Sequence, residues 1–77
     1  MSMTPAQRDA FDFAFIEANF QVKQLPEGEM QAISLLHRNL AADYMSRLPC
    51  NDQRTEALKA LLATKDCAVR ALLPGQP

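Results

Sequence analysis

The sequence predicts an all-α fold: an N-terminal helix followed by an antiparallel helical hairpin, assembling as a helical homo-oligomer. Three observations predict it. Thr4-Pro5 stands ahead of an alanine-studded stretch as a helix start. Apolar residues from Met30 onward recur at three- and four-residue spacing. Leu48-Pro49-Cys50-Asn51-Asp52-Gln53-Arg54 then sets a proline and two capping residues between two such stretches. The 77 residues form one domain, 1–77, with helices expected over about 5–19, 27–48 and 52–73.

In the first helix Thr4 is the expected N-cap, Pro5 occupies N1 where its missing N–H costs nothing, and Gln7 can complete a capping box. Phe11, Phe13 and Phe15 alternate as in a strand. Phe13, Ile16 and Phe20, and likewise Phe11, Phe15 and Ala18, keep helical spacing. The cap and the helix-forming Ala6, Ala10, Ala14 and Ala18 decide for helix. Its aromatic surface is wider than one helical pair can cover, which points to contact with another subunit.

Gln21 to Pro26 reads as a connector, and Leu25 before Pro26 is held extended, so the next helix begins after it. Glu27 and Glu29 suit its first turn. Met30, Ile33, Leu36 or His37, Leu40, Tyr44 and Leu48 form its stripe, and Pro49 ends it. Asn51 or Asp52 caps the third helix. That helix carries two stripes, Ala57-Leu61-Thr64-Ala68-Leu72 and Leu58-Leu62-Val69-Leu73, and a helix apolar on two sides is expected to be buried on two sides. The short link between the second and third helices requires antiparallel packing. Pro74 to Pro77 ends the third helix and leaves a frayed tail.

A chain this short needs support from disulfides, a metal or other subunits. Cys50 and Cys67 lie about four helical turns apart, beyond disulfide reach, and Cys67 reads as a small buried hydrophobe. One histidine cannot complete a zinc site, so no metal or other cofactor is expected, and oligomerisation remains as the support. Eight Lys and Arg against nine Asp and Glu leave a net charge of −1, which disfavours DNA. No apolar run approaches a membrane span, and no basic-then-apolar leader opens the sequence, so a cytoplasmic location with reduced thiols is expected.

Two constellations carry chemistry. His37-Arg38 can donate to phosphate oxygens, or it can be structural, with Arg38 paired to a glutamate and His37 at a core edge. Phe20 with Lys23 can stack on a base and hold a phosphate, or Phe20 can close the core under the connector. No nucleophile, base and orienting group can be named together, so no catalytic residue is assigned and an enzyme is not expected.

From Leu25 onward the chain resembles the hairpin domain shared by phage sponge proteins that counter CBASS and Thoeris immunity. The resemblance rests on Pro49-Cys50-Asn51-Asp52, then Ala57-Leu58-Lys59-Ala60-Leu61, then Ala68 and Ala71-Leu72-Leu73. It departs at Asp66-Cys67, where that family often has a bulky aromatic or methionine. The resemblance implies a hexamer in the host bacterial cytoplasm that sequesters cyclic di- or trinucleotides at subunit interfaces without cleaving them. It implies an aromatic before the second helix that stacks on a base, at Phe20 or, without stacking, Val22. It also implies a cation two turns into that helix, at His37 or Arg38, with Lys23 nearby. The alternative is a small helical adaptor or regulator that binds a partner protein through Phe11 and Phe15.

Overall fold

The computed structural model describes residues 2–22 and 28–74. Among these every regular element is a helix: α1 spans Pro5–Asn19, α2 spans Glu29–Arg47 and α3 spans Asp52–Ala71. None is long and apolar enough to cross a membrane. The expected start of the second helix at Leu25-Pro26-Glu27, like Lys23, lies outside the described residues.

Each boundary has a local cause. Thr4 Oγ1 accepts from the Gln7 N–H at 3.1 Å while Gln7 Oε1 accepts from the Thr4 N–H at 2.9 Å, closing the capping box on α1. α2 begins after Gly28, whose φ of 127° a side chain would strain. Glu29 in its first turn and Arg47 in its last both complement the helix dipole. Leu48 is extended, as the residue before a proline must be, and this stops α2 ahead of Pro49. Asn51, not Asp52, caps α3: its Oδ1 accepts from the Arg54 N–H at 3.1 Å.

The residues that meet across helices give the topology. Arg8 reaches Asp52 and Thr55, Asp12 reaches Arg54 and Thr55, and the Asn19 carbonyl reaches Lys65, so α1 runs parallel to α3. A turn from Leu48 to Asn51 links α2 to α3. The shared core consists of Ile16, Phe20, Ala41, Leu58 and Leu61, with Phe15, Tyr44, Met45 and Leu62 packed against it. Each large member stabilises the fold by about 1.5–3 kcal/mol through its burial.

The burial differs from the expected stripes in an instructive way. The buried line of α2 is Ser34 and Ala41, two small residues that let α3 approach closely. Leu36, Leu40 and Leu48, expected on the stripe, stay exposed at 61%, 39% and 37%. On α3 Leu58 and Leu61 are buried, but Thr64 and Leu72 are exposed, so one chain alone does not bury this helix on two sides. Cys67, expected as a buried hydrophobe, is exposed: it lies beyond the stretch of α3 that α1 covers, with its sulfur 3.4 Å from an Arg70 nitrogen. Both cysteines are free.

The molecule is elongated, with extents of 44 × 24 × 19 Å and a radius of gyration of 13.8 Å. A compact chain of this length would have about 11.5 Å. Its accessible surface of 5411 Å² likewise exceeds the roughly 4,700 Å² of a compact monomer of this mass.

Candidate functional site at the end of the first helix

Two polar clusters fix α1 to the other helices, one at each end. At its C-terminal end the helix closes on Phe20, whose N–H donates to the Ile16 carbonyl at 2.9 Å. The Phe20 ring is 1% exposed. Phe15 meets it edge-on, with centroids 6.4 Å apart, and Lys65 Nζ stands 5.6 Å from its centroid. Of the two readings of Phe20, the core reading describes this arrangement. A base has no face of the ring to stack on unless the end of α1 moves.

Arg38 comes to the same place from α2. One of its guanidinium nitrogens donates to the Phe20 carbonyl at 2.8 Å and another to Glu17 Oε1 at 2.8 Å. Lys65 comes from α3, and its Nζ donates to the Asn19 carbonyl at 2.9 Å and lies 3.2 Å from Asp66 Oδ1. Two cations on two helices therefore cap consecutive carbonyls at the negative end of α1. Asn19 Nδ2 satisfies a third carbonyl of that turn, that of Phe15, at 2.9 Å.

The structure thus brings Phe20 and Arg38 together. It turns His37 back on its own helix instead, where Nδ1 donates to the Ile33 carbonyl at 2.8 Å. Lys65 is the member that sequence reasoning missed. It falls between the Leu58–Leu62 and Ala68–Val69 pairs with the spacing of a residue facing the core, and that was the available signal.

At the N-terminal end the cluster is more deeply buried. Asp12 is fully buried: Oδ2 accepts from Arg54 Nε at 2.9 Å and Oδ1 from Thr55 Oγ1 at 2.7 Å. Thr55 Oγ1 in turn accepts from Arg8 at 2.8 Å, and Arg8 also pairs with Asp52. Arg54 pairs with Asp9 and stands 3.4 Å from the Cys50 sulfur, which itself lies 3.3 Å from the Pro5 carbonyl. The Arg54 hydrogen bond, helped by the one from Cys50, holds the Asp9 carboxyl below its ordinary value. Burial pushes the Cys50 thiol up, and the hydrogen bond to Asp9 pushes it the same way, so this is not an activated thiolate. Burial of Arg54 opposes its charge, but the hydrogen bonds to Asp9 and Asp12 outweigh it and raise its pKa.

Beside this cluster an open cleft of about 410 Å³ is lined by Arg8, Phe11, Asp52, Thr55, Glu56 and Lys59, together with Ser2 and Met3. Its cations are already matched, Arg8 with Asp52 and Lys59 with Glu56. Among the described residues no three His, Cys, Asp or Glu side chains gather to hold a metal ion. Breaking a buried ion pair of this kind by removing one partner is strongly destabilising, which fits a role in holding α1 to α3. The cluster at the other end, where Lys65 stands over the Phe20 ring and Arg38 holds the Phe20 carbonyl, with only carbonyl oxygens and partly exposed carboxylates as partners, is the better candidate for a ligand. Comparison with family models, with curated proteins and with solved structures finds no match to this chain.

Proposed function

We propose that this chain is a sponge for cyclic oligonucleotide signals: a homo-oligomer in the bacterial cytoplasm that binds cyclic di- or trinucleotides stoichiometrically and does not cleave them. On this reading it is phage-encoded and serves immune evasion, and the assembly is a hexamer with the ligand held between subunits. The observation that carries the reading is that Arg38, one of the two cations named by the resemblance, reaches across 18 residues of sequence to the backbone carbonyl of Phe20, so the cation and the residue named as the aromatic share one end of α1, although the Phe20 ring itself lies in the core. The hairpin motif adds support: Pro49 to Asn51 make the turn, and Leu58 and Leu61 face the core. The excess surface and the exposed Phe13 and Leu36 favour a chain that is covered by copies of itself.

A Kd near 1 nM requires about −12 kcal/mol. Stacking supplies about 1–3 kcal/mol per base, and each charge-assisted phosphate bond about 1.5–3 kcal/mol. Two bases and two cations together supply about 5–12 kcal/mol, which meets that figure only at its upper end and before the cost of association, so nanomolar binding needs further contacts from a neighbouring subunit.

The test is a thermal-shift panel of cyclic di-AMP, cyclic di-GMP, cyclic GMP–AMP and cyclic tri-AMP, read beside native mass. Binding raises the melting temperature by mass action, and Arg38→Ala reduces the shift while the subunit count is unchanged. No shift from any of the four sinks the sponge reading. The case then passes to a protein-interaction adaptor; of the two residues named for it, Phe11 is exposed, whereas Phe15 packs against the core.

A further inference from the structure

We propose that Lys65 and Arg38 form a two-cation cradle for the phosphodiester oxygens of the ligand, and that in the free protein the last carbonyls of α1 occupy it as stand-ins. This deepens the sponge reading and rests on it. The carbonyls of Asn19 and Phe20 present two consecutive oxygens to Lys65 Nζ at 2.9 Å and to Arg38 at 2.8 Å. A phosphodiester presents two oxygens to the same donors but brings a full negative charge, whereas the end of a helix carries only about half of one.

Lys65 is largely withdrawn from water, its side chain being 14% exposed, while Arg38 is partly exposed at 33%. Charge-assisted bonds made there are screened less than surface pairs. Displacing the carbonyls shifts the closing turn of α1, and that turn carries Phe20. Exposing the ring would cost its burial among Ile16, Ala41, Leu58 and Leu61, which offsets what a stacked base returns, so the two cations carry the contact with the phosphodiester. Glu17 and Asp66, the carboxylates now paired with these cations, oppose an incoming anion. Both are about half exposed and free to swing toward water.

The experiment is calorimetric titration of the wild type, Lys65→Met, Lys65→Arg and Glu17→Gln with the four cyclic nucleotides, with melting temperature and native mass measured for each variant. For the nucleotide that the wild type binds, Lys65→Met is expected to weaken affinity about 10- to 100-fold, the scale of one charged hydrogen bond. Lys65→Arg retains most of the affinity, and Glu17→Gln tightens it a few-fold. A purely structural Lys65 changes the melting temperature and leaves the affinity of the folded protein alone, and that result overturns the cradle while the sponge reading stands. Where Lys65→Met does not fold, carbonyl ¹³C shifts of wild-type Asn19 and Phe20 decide: they move on adding the nucleotide if their donors are taken, and unmoved shifts overturn the proposal. If inorganic phosphate at millimolar concentration moves them equally, the site is a general anion site and the phosphodiester assignment is overturned. No binding of any of the four by the wild type overturns both readings.

Discussion

The two ends of the molecule are built from the same two helices, yet they are stabilised very differently. Where α1 lies along α3, from Asp52 to Lys65, every buried hydrophobic side chain of the described residues is found: Ile16, Phe20, Ala41, Leu58 and Leu61. Beyond it, among the described residues, no side chain of α1 bonds to α2 from Glu29 to His37 or to α3 from Asp66 to Ala71. There the one buried residue is Ser34, while Leu35, Leu36, Leu72 and Leu73 are 40% exposed or more. Two helices make a seam; a third is needed to make an interior. The difference puts exposed apolar surface at the two-helix end and internal polar matching at the three-helix end.

Breaking the polar clamp has the largest expected effect. Asp12→Ala leaves the Arg54 guanidinium, 4% exposed, without its buried partner, and such losses cost about 3–5 kcal/mol. Chemical denaturation of Asp12→Ala should show a loss of that size, and a change under 1 kcal/mol would mean that α1 does not depend on this pair. Next comes Leu58→Ala. Leu58 is fully buried among Ile16, Ala41 and Leu61, and the truncation costs about 2–5 kcal/mol depending on how far the cavity collapses. If Leu36→Ala destabilised the dilute chain as much as Leu58→Ala, the contrast between the two ends would be wrong.

The difference between the ends also explains what could be read from the sequence. The three helices, the Thr4–Gln7 capping box and the turn at Pro49 were legible because they depend on neighbours within four residues. The interior was legible only in part. The apolar stripe of α2 pointed at Leu36 and Leu40, but the helix packs on Ser34 and Ala41, because close approach of α3 favours small residues over large ones. The clamp was missed because aspartate and arginine are taken as surface residues by default. Its trace was present in the spacing of Arg8, Asp12 and Ile16, which puts two charges in line with a core residue. At the candidate site, Phe20 and Arg38 were legible as residue types. That carbonyls of α1 would hold Arg38 and Lys65 was not, since it depends on where one helix ends against two others.

Acid should weaken the three-helix end selectively. Asp9 has its pKa depressed in the folded chain by Arg54 and Cys50. Its contribution is therefore fully present above the ordinary carboxylate value of about 3.9 and is lost as pH falls through the lower folded value. Comparing the stability of the wild type with Asp9→Asn against pH isolates this term. The difference should stay constant from pH 8 to about 5 and shrink below about 4. A difference that grew on acidification would put the sign, and so the Arg54 pairing, in error.

The smallest effect on folding and the largest on assembly are expected from the same substitution at the two-helix end. Leu36 is 61% exposed, so Leu36→Ser removes little buried area from a single chain, and its cost in the dilute protein should stay within about 0.5 kcal/mol, as for surface changes generally. If copies of the chain supply the missing third helix, Leu36 lies under them, and the polar hydroxyl is set against an apolar partner. Sedimentation of the wild type at micromolar concentration should then give several times the monomer mass, and Leu36→Ser should lower it with little change in helix content. Amide exchange sharpens the point: in dilute protein, α2 amides before His37 and α3 amides after Lys65 should exchange faster than those around Leu58, and the gap should close as assembly proceeds. Equal protection at both ends in a protein that sediments as a monomer would mean that two helices hold that end without help.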